Sequence, residues 1–133
     1  MDFLVVDDDE DILLLLKRLF EKKFPKSAIF TSNSAEEAVE QLETLRPQLE
    51  SGSLILVSDI RLPGASGIQL ARQTLGKYPT LPIILVTAYE VEFVRVESES
   101  LGVRRVIQKL DGPESILEEI GKVFEENSRT INE

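Results

Sequence analysis

A chain of 133 residues with 42% hydrophobic and 29% charged residues has the size and balance of one globular domain with its own core. It contains no cysteine and no histidine, which excludes disulfides, thiolate chemistry and imidazole as base or metal ligand. Carboxylates, hydroxyls, lysine and backbone oxygens remain, a donor set that suits a hard cation such as Mg²⁺. The formal net charge of −9, from 24 acidic and 15 basic residues, argues against direct nucleic-acid binding by this chain. No apolar run approaches the roughly 20 residues of a membrane span, and Met1 to Val6 lacks the form of a signal peptide, so the chain reads as cytoplasmic.

Phe3 to Val6 is a short apolar strand ending at Asp7. Glu10 to Phe24 follows as an amphipathic helix, with Ile12, Leu15, Leu16, Leu19 and Phe20 at helical spacing and Pro25 as its stop. Ala28 to Thr31 is a second strand. Ser34-Ala35-Glu36-Glu37 has the capping-box pattern and opens a helix carrying Ala38, Val39, Leu42 and Leu45. Arg46 to Ser53 reads as a polar loop. Leu54 to Val57 is a continuous apolar strand ending at Ser58-Asp59. Beyond the Pro63-Gly64 turn, Ile68, Ala71 and Leu75 mark a third helix, closed before Pro79. Ile83 to Val86 is a fourth strand ending at Thr87. Tyr89 to Leu101 has a loose helical rhythm, weakened by Val91, Phe93, Val94 and Val96, with Gly102 as its stop. Val103 to Gln108 is a fifth strand ending at Lys109. Asp111-Gly112-Pro113-Glu114 opens a last helix with Ile116, Leu117, Ile120, Val123 and Phe124 inward, and Asn127 to Glu133 reads as a frayed tail or the start of a linker.

Five strands alternating with five helices predict an α/β fold, a doubly wound parallel sheet with helices on both faces. Strands buried on both faces need continuous apolar runs, as these have. In such sheets ligands bind beyond the carboxyl ends of the strands, at the point where strand order reverses. The strand-end residues are Asp7, Asp59, Thr87 and Lys109. Each has an ordinary structural role open to it. Carboxylates after Asp7 suit a helix N-terminus, a reading that fits Asp9, Glu10 and Asp11; Thr87 favours a strand, and Lys109 a solvated surface. Together they describe one phosphoryl site. Asp7, Asp8 and Asp59 would repel one another unless a cation sat among them. Asp59 would then serve as an anionic nucleophile, with Thr87 and Lys109 as the hydroxyl and ammonium that hold the transferred group.

On Val6-Asp7-Asp8, Asp59-Ile60-Arg61-Leu62-Pro63-Gly64 with Gly67, Thr87-Ala88 and Lys109, the sequence resembles the receiver domain of two-component response regulators from Phe3 to about Phe124. The resemblance implies a flavodoxin-like strand order 2-1-3-4-5. It implies a receiver over residues 1–126, with 127–133 as tail or linker. It further implies phosphoryl transfer to Asp59 from a sensor histidine kinase or phosphotransfer protein. Mg²⁺ would be held by Asp8 and Asp59 directly, by Asp7 mainly through water, and by the backbone carbonyl of Arg61. Thr87 and Lys109 would couple phosphorylation to a downstream effector or output domain. The Asp-Ile-Arg-Leu-Pro-Gly wording, with Leu81-Pro82, is most like receivers attached to enhancer-binding transcription activators.

Three features depart from the family pattern. Leu110 stands where proline usually follows the lysine, Val106 stands where an aromatic switch residue usually lies, and Arg46 to Ser53 is longer than usual. Tyr89 offers a partial substitute ring. Arg61 and Tyr89, each two residues past a site residue, are expected to overhang the site and restrict the attacking water. A homodimer through the surface around Val91 to Leu101, Arg104 and Arg105 competes with burial of that helix in the core. Two rival functions are a non-switching docking module on the same fold, favoured by Val106 and Leu110, and a Mg²⁺-dependent aspartyl-phosphate phosphatase using Asp7 and Asp9, which leaves Asp59 unexplained.

Overall fold

The computed structural model describes residues 1–88, 91–109 and 112–132. Tyr89, Leu110 and Asp111 lie outside them, as do the side chains of Val91 and Phe93 on which the dimer expectation leaned. Five parallel strands, β1 (Asp2–Val6), β2 (Ile29–Ser32), β3 (Leu54–Asp59), β4 (Ile83–Thr87) and β5 (Arg105–Gln108), lie in the order 2-1-3-4-5. The helices among the described residues are α1 (Glu10–Lys23), α2 (Ala35–Thr44), α3 (Arg46–Ser51), α4 (Gly67–Lys77), α5 (Val91–Leu101) and α6 (Gly112–Asn132). The expected architecture and strand order are those of the molecule.

Alternate residues of the strands feed two cores, as the period of two in a pleated strand requires. Phe3, Val5, Ile55, Val57, Ile84 and Val86 face α1 and α6, where they meet Phe20, Phe24, Leu117 and Ile120. Leu4, Val6, Leu54, Leu56, Ile83 and Leu85 face the other way, onto Ala38, Leu42, Leu70, Ala71 and Leu75 of α2 and α4. Phe3 anchors the first core through ring contacts with Phe20, Phe24 and Phe124, at centroid separations of 5.2, 4.8 and 6.0 Å.

Four expectations need correction. Arg46 to Ser51 is a helix, not a loop: Pro47 sits in its first turn, where a missing N–H costs nothing, and Gly52 closes it at φ 70°. Its polar composition reflects exposure rather than disorder. Ile12 and Leu15 do not join the core; they stay 37% and 49% exposed, because Leu13 and Phe20 take the buried face of α1. The fifth strand starts at Arg105 rather than Val103, since the Val103 N–H donates to the Ser98 carbonyl and Arg104 N–H to Ile83. Helix α6 continues through Asn132, over residues read as a tail. Nothing from Lys122 onward is glycine or proline to stop it, and Glu126 ties it to Arg104 and Arg105 at 3.3 and 2.9 Å.

Caps set where the helices begin at the sheet's carboxyl edge. Asp9 Oδ1 accepts from the N–H groups of Asp11 and Ile12, the helix-start role expected of it. Ser34 Oγ accepts from the Glu37 N–H. A full capping box forms at α4, where Ser66 and Gln69 exchange hydrogen bonds.

Candidate phosphoacceptor and metal site

The β1 and β3 strands are neighbours, and the strand order reverses between β2-β1 and β3-β4 at their carboxyl ends. Register carries the candidate residues to one place. Val6 pairs with Ser58, Asp59 with Val86, and Thr87 with Gln108, so Asp7, Asp59, Thr87 and Lys109 all emerge at one edge of the sheet.

Oxygens of Asp7, Asp8 and Asp59 lie within 4.8 Å of one another. Lys109 Nζ donates to Asp59 Oδ2 at 2.8 Å and to Asp7 Oδ2 at 3.3 Å, spanning both acids. Asp7 is 3% exposed and accepts from the Asp9 N–H at 3.0 Å. Asp59 is half-buried and Asp8 exposed, so the cluster is open to solvent on one side. Burial raises the Asp7 carboxyl above its ordinary 3.8, against the pull of the Asp9 N–H and Lys109, and with a push from Asp59. Burial alone would lower Lys109; the hydrogen bond to Asp59 and the charges of Asp59 and Asp7 outweigh it and hold the ammonium above 10.5.

This donor set fits a small hard cation. Three carboxylates converge from two strand ends, nothing soft is among them, and one acid is buried enough for its charge to require a partner. Thr87 is 2% exposed at the end of β4. Arg61 is exposed on the loop after β3, and its N–H lies 3.4 Å from Asp59 Oδ1. Val106 is half-buried against the α4 side of the sheet, paired with Leu85. The structure therefore gathers Asp7, Asp8, Asp59 and Lys109 in direct contact or near it, with Thr87 and Arg61 at the same edge. Val106 belongs to the core behind it.

Two supports escaped the sequence reading. The start of α4 crosses the backbone of Asp59: a Cβ on Gly67 would fall 2.2 Å from the Asp59 carbonyl oxygen, and the Gly67 N–H donates to Ile60. Glu36, at the start of α2, accepts from the Ala65 N–H at 3.3 Å and ties down the loop after Asp59. Gly64, at φ 75° with Glu36 Oε1 3.0 Å from where its Cβ would stand, allows that approach. A separation of 29 positions between Glu36 and Ala65 leaves no local signal to read. Between α1 and α6, a mainly apolar cleft of about 190 Å³ opens beside Asp7, Asp59 and Lys109, and there the exposed Ile12 and Leu15 meet Pro113 and Ile116.

A five-stranded 2-1-3-4-5 sheet with this acidic edge is the architecture of phosphoacceptor receivers, and residues 3–121 match the response regulator receiver domain family. The chain belongs to that family. It is 32% identical over 113 residues to the alkaline phosphatase synthesis transcriptional regulatory protein PhoP of Bacillus subtilis, covering 85% of this chain and 44% of PhoP. It is 36% identical over 85 residues to the DNA-binding transcriptional regulator NtrC of Escherichia coli, covering 64% of this chain and 16% of NtrC. The chain thus spans less than half the length of either relative. Among solved structures, a CheY-like receiver domain protein of Methanospirillum hungatei superposes with a TM-score of 0.77 at 26% identity, over 97% of both chains. Among the described residues no helix is long and apolar enough to cross a membrane.

Proposed function

We propose that the chain accepts a phosphoryl group on Asp59 from the phosphohistidine of a sensor kinase or phosphotransfer protein, in a Mg²⁺-dependent reaction, and passes the signal by changed partner contacts. The observation that carries this reading is Lys109 Nζ at 2.8 Å from Asp59, within an acidic triad whose oxygens lie inside 4.8 Å. Asp8 and Asp59, with Asp7 and the Arg61 carbonyl, would hold the cation, which when bound supplies neutralising charge for a phosphoryl group. An Asp59 carboxylate oxygen attacks phosphorus; the new O–P bond forms as the P–N bond to the donor imidazole breaks, and the imidazole leaves with its electron pair. Lys109 and Thr87 act on the transferred oxygens by charge and hydrogen bonding, so that catalysis is positioning and neutralisation. Val106 occupies the place of the usual aromatic switch, so no ring can rotate at that position, and Tyr89 is the substitute ring on offer. The setting is cytoplasmic. The names of PhoP and NtrC support transcriptional regulation as the eventual output.

Incubation with acetyl phosphate and Mg²⁺, followed by intact mass measurement, is expected to give a phosphoryl adduct that Asp59→Asn and metal chelation both abolish. An adduct surviving Asp59→Asn would refute the assignment, and its absence with every donor would favour a docking module. Arg61 and Tyr89 are proposed to shield the acyl phosphate from water. Loss of the adduct should therefore be several-fold faster in Arg61→Ala or Tyr89→Ala; unchanged lifetimes in both would remove that role.

A further inference from the structure

At the opposite edge of the sheet from the acidic site lies a second cleft, of about 440 Å³, that none of the chemistry above uses. Its volume is within the range of small-molecule sites, roughly 300–1,000 Å³. The unexpected helix α3 builds one wall through Gln48 and Leu49, with Gly52 at its end. Leu54, Leu81 and Pro82, where β3 and β4 begin, are buried and form an apolar floor. Lys77, Tyr78, Thr80 and Arg104 belong to the lining with Asn127 of α6. The charge of this lining runs against that of the whole chain. Among the described residues two cations and no carboxylate line the cleft, in a protein of net charge −9. The carboxylates that pair with those cations, Glu43 for Lys77 at 3.9 Å and Glu126 for Arg104 at 3.3 Å, are themselves not part of the lining. Both pairs are solvent-exposed, where such contacts hold their partners weakly and leave the cations available to a ligand.

We propose that this cleft is a binding site for a small organic anion with a flat apolar body. The body lies on Leu49, Leu54 and the Leu81-Pro82 floor beside the Tyr78 ring, and the anionic group is held by Lys77 and Arg104. Gln48 and Asn127 lie at its rim with their amides engaged, Gln48 Nε2 donating to Asp2 Oδ2 and Asn127 Oδ1 accepting from Arg104, both at 3.4 Å. Residue Leu54 in the cleft and Asp59 at the phosphoacceptor are the two ends of β3, about 16 Å apart at the usual rise of a strand. The two sites are therefore separate, and occupancy of one does not require the other.

Anilinonaphthalene sulfonate, an aromatic anion whose fluorescence rises in apolar surroundings, is the probe. With the intact chain, saturable binding is expected, weakened at least about tenfold in the Lys77→Ala/Arg104→Ala double variant. Thr80→Glu, which adds a carboxylate to an exposed position of the lining, should weaken it likewise. Asp59→Asn should leave it unchanged, which keeps the result independent of the phosphoacceptor reading. The neutral analogue N-phenylnaphthylamine should bind more weakly than the sulfonate. Circular dichroism and Tm of each variant establish that it is folded. The absence of saturable binding overturns the proposal, as does equal binding by the folded double variant and Thr80→Glu, or a preference for the neutral analogue.

Discussion

Asp7 is unlike most folded-state carboxylates, because its burial outweighs the Asp9 N–H and Lys109 contacts and raises its pKa above 3.8. The folded protein thus holds this proton more tightly than the unfolded chain does. Ionised Asp7 costs stability at pH above the raised value, and the cost fades as pH falls through it toward 3.8. In chelator, Asp7→Asn is expected to raise Tm by roughly 2–5 °C at neutral pH, with a gain that shrinks on acidification. A gain independent of pH, or a loss at neutral pH, would contradict this account of the site. Gly67 illustrates a residue whose importance lies in what it lacks. Any side chain there meets the Asp59 carbonyl at 2.2 Å, so the Asp59 backbone and the start of α4 share one space.

At the scale of the element, α5 is loosely matched to its surroundings over its described residues. It is helical where its sequence rhythm was loose, and Val96 on it is 69% exposed. Ser98 on the same helix is fully buried, and its hydroxyl has no hydrogen-bond partner among the described residues. A buried orphan hydroxyl costs more than an apolar group of similar size. Ser98→Ala, which also favours the helix, should therefore raise stability by about 1 kcal/mol in urea unfolding. Destabilisation would mean the hydroxyl has a role in another state of the protein. Helix α3 teaches the complementary lesson: its polar residues concealed a helix that Pro47 and Gly52 had marked at both ends.

For the whole molecule, an excess of negative charge is concentrated where three acids converge, and a divalent cation there should stabilise the fold by mass action. Mg²⁺ at about 100 times its Kd adds about 2.7 kcal/mol. The Tm gain in Mg²⁺ over NaCl of matched ionic strength should be present in the native chain and mostly lost in Asp59→Asn. Equal gains in the two proteins would assign the effect to general screening of the −9 charge and not to the acidic site.

Apolar runs, caps and strand-end residues by themselves determined the α/β class and the grouping of Asp7, Asp59, Thr87 and Lys109, while the strand order came only with the family resemblance. The reason is that parallel strands buried on both faces leave a continuous local signature, and their ends are where such sheets place chemistry. Which apolar residues of α1 face inward was not legible, because Ile12 to Leu16 is a run of five aliphatic residues that fits more than one helical face. The Glu36 contact to Ala65, the collision space at Gly67 and the cation-lined cleft joining α3 to Arg104 were also beyond it. Each depends on residues far apart in the chain meeting at a distance of a few ångströms, and only the packed tertiary structure sets that distance.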